Sequence, residues 1–415
     1  MADITLTYFL NKNKLPCMAP ICLFAGLRFH LFYKASRVGT PMYAITNINV
    51  FNGQDTLENQ AIIVAGDTIE AVVPMETANL PETVYDGQGL TATAGFIDLQ
   101  LNGCGGVMLN VDISKQTLDT MNETNIQSGT TQYLPTLITS KHETMCQAVE
   151  LISAIESHES EGIIGLHLEG PFISKEKKGA HDENHIRILD ELTAHYMADN
   201  AKHISVVTLA PENTSQAVID ILNDAGITVS LGHTNADYHQ LTAKNHLKMA
   251  THLYNAMTPL GSREPGTVGY IFDKKPHAGI IVDGIHSSYA SVRIAHQILG
   301  EKLFMVTDAV APAGTDMKEY DMAGTTAYVT DGKCHYADGT IAGAAITMIE
   351  GIKNLIQHVG LSREEALRMA SLYPAKAAGI DGQYGQLLPG YKANITLLND
   401  HNEVCAVYQM GNKRL

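Results

Sequence analysis

The decapeptide Ile163-Ile164-Gly165-Leu166-His167-Leu168-Glu169-Gly170-Pro171-Phe172 begins as a short apolar run and stops at a Gly-Pro pair. Such a run makes a strand buried on both faces, and Gly170-Pro171 is a point where a strand cannot continue. His167 and Glu169 are two apart, so they share one face of that strand and sit at its exit. Either they are a core histidine and a carboxylate capping the next segment, or they belong to a site at the strand's end. The flanking sequence has to decide.

On both sides the same pattern recurs. Apolar runs occur at Gly95 to Leu101, Thr131 to Ile138, Ile163 to Leu168, Ile204 to Leu209, Thr228 to Leu231, Met249 to Leu253, Ala278 to Val282 and Leu303 to Thr307. The stretches between them place apolar residues three or four apart, as in Leu118 to Gln127, Thr144 to Glu156, Thr214 to Ala225 and Ala290 to Leu299, and predict helices. Strand and helix alternating eight times is the pattern of a (β/α)8 TIM-like barrel, with a doubly wound α/β sheet as the alternative. No Gly-x-Gly-x-x-Gly opens a helix after the first strand and no Walker loop is present, which disfavours the nucleotide-binding version.

Outside this region the chain changes character. Tyr43 to Val50, Ala61 to Ala65 and Thr68 to Val73 read as strands joined by Asn52-Gly53 and Gly66-Asp67 turns, and Ala393 to Leu398 and Val404 to Gln409 read likewise at the far end. We expect a small β-sandwich domain built from both chain ends, residues 42–94 plus 385–415, enclosing a barrel of residues 95–384. Residues 1–41 read as a leader outside the fold, translated from a start upstream of Met42; a targeting or anchoring segment is the alternative, since Pro20 to Leu27 is signal-like but too short to span a bilayer.

Composition narrows the function classes. A chain of 415 residues with 45% hydrophobic residues, 35 glycines and no tryptophan fits a soluble globular enzyme. The net charge of -16 argues against nucleic acid or an anionic membrane as partner, so an anionic substrate has to be held by a few local cations. Six cysteines without a Cys-x-x-Cys pair suit free thiols in a reducing, cytoplasmic setting.

In a barrel the chemistry lies at the C-terminal ends of the strands. Those ends carry Asp98, Gln100 and Asn102, then His167 and Glu169, then His233, His252, Asp283 with His286, and finally Asp308. Any one of the 18 histidines has a plain explanation as a core or rim residue. Several converging on one mouth share the cost of desolvation only if they share a purpose. Glu169, His233 and His252 form a three-ligand set that leaves an open position on zinc, and Asp308 is placed to take a proton from water and return it to a leaving group, unless it only caps a turn. Gln100 and Asn102 stand where a histidine pair would supply a second metal; neutral amides are poor zinc ligands, so one tightly held divalent ion is expected, zinc first, with iron or another ion also compatible.

At these residues a resemblance becomes specific. Gly95-Phe96-Ile97-Asp98-Leu99-Gln100-Leu101-Asn102-Gly103, His167-Leu168-Glu169-Gly170-Pro171-Phe172, Gly232-His233-Thr234-Asn235-Ala236, Thr251-His252-Leu253-Tyr254-Asn255-Ala256-Met257 and Val306-Thr307-Asp308-Ala309 resemble the motifs of the N-acetylglucosamine-6-phosphate deacetylases, a family within the amidohydrolase superfamily. The likeness runs from Met42 to Leu415. It implies metal ligation by Glu169, His233 and His252, with Asp308 as catalytic acid and base. It also implies an amino-sugar phosphate held by Ala180, His181, Asn255, Ala256, Arg263 and His286, with the backbone of Ile341, Ala342 and Gly343 lining the pocket. The implied reaction is acetamide hydrolysis to glucosamine 6-phosphate and acetate, by a homodimer in which a partner subunit helps to complete the phosphate pocket. The competing readings are an amidohydrolase acting on a cyclic amide or a nucleobase, and an inactive barrel used as a binding protein.

Overall fold

A computed structural model describes residues 41–415 apart from residue 323, so the segment read as a leader lies, but for Pro41, outside the described residues, as do Cys17 and Cys22. Eight parallel strands run β1 (Phe96–Leu101), β2 (Thr130–Ile138), β3 (Leu166–Glu169), β4 (Ile204–Leu209), β5 (Thr228–Leu231), β6 (Met249–Ala250), β7 (His277–Ile281) and β8 (Leu303–Val306), each paired with the next. The ring closes just beyond β8, where the Asp308 N–H donates to the Gln100 carbonyl and the Asn102 N–H to the Ala309 carbonyl, both at 2.9 Å. Every residue of β1, β2 and β3 is buried, as expected of strands packed on both faces. The TIM-like barrel expected from the eight apolar runs is therefore the fold.

The helices that return the chain begin where the sequence offers a capping oxygen. Ser114, Asp190, Ser215 and Ser288 each accept a hydrogen bond from the N3 backbone N–H of the helix that follows, leaving the first turn fewer unpaired donors. Gln216–Asp224 shows the packing logic: Val218, Ile219 and Leu222 face the barrel and are buried, while its polar face is left to solvent.

A second sheet of eight strands draws on both chain ends. Its central strand, Met42–Phe51, pairs antiparallel with Thr56–Ala65 and parallel with Thr83–Asp86 and Thr91–Ala94; the last of these pairs antiparallel with Ile395–Leu398, which continues to Val404–Gln409. Ile45, Ile62, Val64, Ile395 and Tyr408 form its own core. It meets the barrel at the N-terminal ends of β1 and β2, through Gly95 N–H to the Asn394 carbonyl at 2.9 Å and Thr396 Oγ1 to the Gly129 carbonyl at 2.8 Å. The opposite mouth is left free for a site.

A third sheet was not separated from the barrel by sequence. Glu319–Met322, Thr325–Thr330, Lys333–His335 and Ile341–Ala344 form a four-stranded antiparallel sheet inserted after β8. Its central hairpin turns at Asp331 and Gly332, with φ of 50° and 79°. Asp-Gly is the pair that suits two successive left-handed residues, so a signal was present in the sequence.

Candidate metal centre and active site

Glu169 ends β3, His233 and His252 follow β5 and β6, and Asp308 follows β8. Three of these four adopt left-handed backbone, with φ of 47° at His233, 31° at His252 and 50° at Asp308. A non-glycine residue held there costs about 1–3 kcal/mol, and such strain concentrates where side chains must be aimed. The aiming is visible in the backbone: Ser174 N–H donates to the His233 carbonyl at 2.8 Å, and Leu253 N–H to the Gly279 carbonyl at 2.8 Å.

The side chains converge. His233 Nε2 lies 3.2 Å from Glu169 Oε1, His252 Nε2 lies 3.0 Å from the same oxygen, and the two Nε2 atoms are 3.0 Å apart. All three residues are buried. His233 Nδ1 faces the Lys177 carbonyl at 2.8 Å, and a carbonyl only accepts, so the proton sits on Nδ1 and Nε2 presents a lone pair. A lone pair, a carboxylate oxygen and a second imidazole nitrogen within hydrogen-bond range of one another could hold a metal ion. One carboxylate and two imidazoles on three separate strand ends suit a divalent ion with a free coordination position, and the carbonyl on Nδ1 of His233 is the usual device for orienting such a ligand. Burial opposes the charge on Glu169, yet the two imidazoles beside it hold its pKa well below the usual carboxylate range.

Asp308 is held by the two amides that sequence reading had weighed only as poor metal ligands. Gln100 Nε2 donates to Asp308 Oδ1 and to Glu169 Oε1, each at 3.0 Å, and Asn102 Nδ2 donates to Asp308 Oδ1 at 2.7 Å. Both of these bonds fall on Oδ1, and among the described residues Oδ2 of Asp308 has no hydrogen-bond partner. Burial, and next the charge of Glu169, push the Asp308 pKa up to about 6. Beneath it, Asp98 accepts from the Thr307 hydroxyl and is pushed up to about 7, chiefly by burial.

His167 takes no part in the cluster. Its Nδ1 lies 3.1 Å from the Leu99 carbonyl and its Nε2 2.7 Å from Thr208 Oγ1, from which a chain of hydroxyls continues to Thr251 at 2.7 Å and on to Ser230 at 2.6 Å. Burial pushes its pKa down to about 4, leaving a neutral ring that ties strands together below the site.

These residues open into a cavity of about 380 Å³, a size suited to a small-molecule ligand. Of the residues expected to hold a substrate, Ala180, His181, Asn255, Ala256, His286, Ile341 and Gly343 line it. Arg263 does not: it lies on an exposed turn ahead of the helix Gly266–Lys274, away from this chain's own cavity. Nor does Ala342, whose side chain is fully buried and whose carbonyl accepts from the Tyr320 hydroxyl. The wall also contains Met322 from the inserted sheet and Thr340 from the loop before its last strand. His181 packs against His233 with ring centroids 4.3 Å apart and ring planes tilted by 49°, its Nδ1 is 2.7 Å from Thr139 Oγ1, and burial pushes its pKa down to about 3.

A model of the amidohydrolase family matches residues 91–414, and one of the NagA composite domain matches residues 42–87. This chain belongs to the amidohydrolase family. Within that family it is 42% identical over 374 residues to the N-acetylglucosamine-6-phosphate deacetylase of Haemophilus influenzae, over 89% of this chain and 98% of that protein. The crystal structure of N-acetylglucosamine-6-phosphate deacetylase from Pasteurella multocida superimposes with a TM-score of 0.86 at 44% identity, covering 90% of this chain and 99% of that one. A Mycobacterium smegmatis deacetylase mutant in complex with N-acetyl-D-glucosamine-6-phosphate gives a TM-score of 0.83 at 28% identity, covering 90% and 99%. Among the described residues no helix is long and apolar enough to cross a membrane.

Proposed function

We infer that this amidohydrolase is an N-acetylglucosamine-6-phosphate deacetylase, hydrolysing the acetamide of N-acetyl-D-glucosamine 6-phosphate to D-glucosamine 6-phosphate and acetate in amino-sugar catabolism. The observation that carries the reading is the convergence of Glu169, His233 and His252 beside Asp308 at one barrel mouth, in a chain 42% identical over nearly its whole fold to a deacetylase of that name.

In this reading Glu169, His233 and His252 hold one divalent ion, for which we propose zinc. When bound, it lowers the pKa of water and polarises a carbonyl. Asp308 supplies the proton chemistry: its free Oδ2 takes the proton of the attacking water and passes it to the departing sugar amine. Gln100 and Asn102 keep the other oxygen fixed meanwhile, so the carboxylate does not rotate between the two transfers. His181 is uncharged, and in the tautomer in which its Nδ1 accepts from the Thr139 hydroxyl its proton is on Nε2, a donor for the acetyl oxygen. The sugar phosphate lies against Ala180, Asn255, Ala256, His286, Ile341 and Gly343. Arg263 is exposed and outside this chain's own cavity; a homodimer in which a second subunit helps to complete the phosphate pocket is part of the proposal, as the family resemblance implies. A cytoplasmic enzyme is part of the same proposal.

Acetate release from N-acetylglucosamine 6-phosphate, measured with metal content, tests the reading. Turnover with about one ion per chain is expected. A metal-loaded protein that releases no acetate from that sugar overturns it.

A further inference from the structure

One buried carboxyl beside the proton carrier has no part in the chemistry above. Asp98 lies on β1 two residues before Gln100 and is 1% exposed. Its Oδ1 accepts the backbone N–H of Gln100 at 3.2 Å and that of Thr307 at 3.3 Å, and its Oδ2 accepts the Thr307 hydroxyl. Thr307 is buried, follows β8 and immediately precedes Asp308. Among the described residues its side chain is the one bonded to Asp98. A single carboxylate therefore grips both edges of the barrel seam: the residue before the proposed proton carrier on one edge, and on the other the residue whose amide clamps it.

The strand needs that grip because its ladder is broken there. Between Asp98 and Leu101, β1 advances three residues while β2 advances two, from Tyr133 to Pro135. Such a bulge leaves backbone groups without strand partners and re-aims side chains. Side chains take over the freed groups: Asp98 holds the Gln100 N–H, Thr136 Oγ1 accepts the Leu101 N–H at 2.9 Å, and His167 Nδ1 meets the Leu99 carbonyl at 3.1 Å. Across the seam the Gln100 carbonyl accepts the Asp308 N–H at 2.9 Å, and Thr307 Oγ1 accepts the Ala309 N–H at 3.2 Å. The left-handed backbone of Asp308 is thus bracketed by bonds that lead back to Asp98. A carboxylate accepts at every contact, whereas an amide there would turn its NH2 toward the Thr307 hydroxyl and reverse that bond.

We propose that Asp98 is a positioning residue for the proton transfer: through Thr307 and Gln100 it fixes the direction in which the Asp308 carboxylate points into the cavity. The inference rests on Asp308 as the acid-base group proposed above. Neither Asp98 nor Thr307 lines the cavity, so both act through Asp308 and not on the substrate.

The test is steady-state acetate release from N-acetylglucosamine 6-phosphate by the wild type, D98N, T307V, T307S and the D98N/T307V double variant, with metal content and melting temperature read on the same samples. Thr396, whose buried hydroxyl donates to the Gly129 carbonyl at 2.8 Å near the opposite mouth, gives the control T396V. For T307V, which removes the hydroxyl at nearly constant volume, kcat is expected to fall about 10- to 100-fold with KM within about 3-fold and metal content unchanged. D98N should behave alike, T307S should recover most of the loss, and the double variant should lose no more than the worse single one. T396V should lower the melting temperature as T307V does, with kcat within about 2-fold of wild type. If D98N does not fold, T307V and T307S carry the test. A folded T307V with kcat within about 3-fold of wild type, a loss carried by KM, or full additivity in the double variant would overturn the inference. A wild type that releases no acetate sinks the functional reading, and an active D308N sinks the acid-base assignment. An active wild type and an inactive D308N beside an unimpaired T307V sink this inference alone.

Discussion

Asn102 Nδ2 donates to Oδ1 of Asp308 across 2.7 Å, joining the end of the first barrel strand to the residue that follows the last. The bond lies at the seam where the barrel closes, so ring closure and the aim of the proposed acid-base group are one structural event. Removing it leaves Gln100 as the only side-chain donor on Asp308 among the described residues. Asn102→Ala is expected to lower kcat by about 10- to 100-fold with little change in KM, because the lost bond orients a proton carrier and touches no sugar group. Asn102→Asp should cost more, since it sets a second carboxylate against Asp308. Initial rates of acetate release over a substrate range check both; a KM effect with kcat intact would break the assignment.

Metal content gives the second prediction. Glu169→Gln and His233→Ala each remove one of three donors from a buried cluster and should reduce bound metal from about one ion per chain to a small fraction, with activity falling at least about 1000-fold. Elemental analysis of protein purified in metal-replete buffer reads this directly. Two tightly held ions in the wild type would show that Gln100 and Asn102 do not exclude a second metal.

The eight strands were legible because each is a short apolar run ended by a turn-forming or polar residue, and burial on both faces leaves no other use for such runs. Glu169, His233, His252 and Asp308 were legible because ligand-type residues at strand ends gather at one topographic level of a barrel. The amide clamp was not: Asn102 and Asp308 are 206 residues apart, and a neutral amide carries no signature of the group it will hold. Arg263 sits on an exposed turn outside this chain's own cavity, a placement that no local pattern in the sequence signals. The inserted sheet had its Asp331-Gly332 turn in plain view, but its flanking strands are short and partly exposed, so no strong apolar alternation accompanied the turn.

Acid stability supplies the third prediction. Glu365 accepts from His296 Nε2 at 2.7 Å and from Arg368 Nε at 2.8 Å, and the Tyr373 hydroxyl lies 3.1 Å from both its oxygens. Burial opposes its charge, but these partners lower its pKa from 4.5 to about 2. A carboxyl depressed on folding contributes stability that is fully present above its unfolded value and is lost as pH falls through its folded one. The contribution, about 2 kcal/mol after allowance for solvent screening, should therefore disappear between about pH 4.5 and 2. Glu365→Gln should lower the melting temperature at neutral pH and flatten the acid limb in that window. Thermal melts from pH 7 to 2 test it, and an unchanged acid limb in the variant would refute it.

The small sheet should be separable from the chemistry. Gly411 has φ of 76°, and a Cβ there would fall 1.9 Å from the Gly66 carbonyl oxygen, a backbone atom that cannot swing aside. The same glycine's carbonyl accepts the Tyr43 hydroxyl at 2.8 Å, so a shift here pulls on the central strand of the sheet. Gly411→Ala therefore combines left-handed strain with a backbone clash and should destabilise the fold by about 2–4 kcal/mol. The sheet packs on the N-terminal ends of β1 and β2, whereas the proposed site lies at the C-terminal ends. At 25 °C kcat and KM should then stay within about 2-fold of wild type while the melting temperature falls. A variant that kept its melting temperature would show that the Gly66 turn relaxes more easily than its packing implies. One that lost activity while still folded would show that the sheet helps to set the geometry at the far mouth.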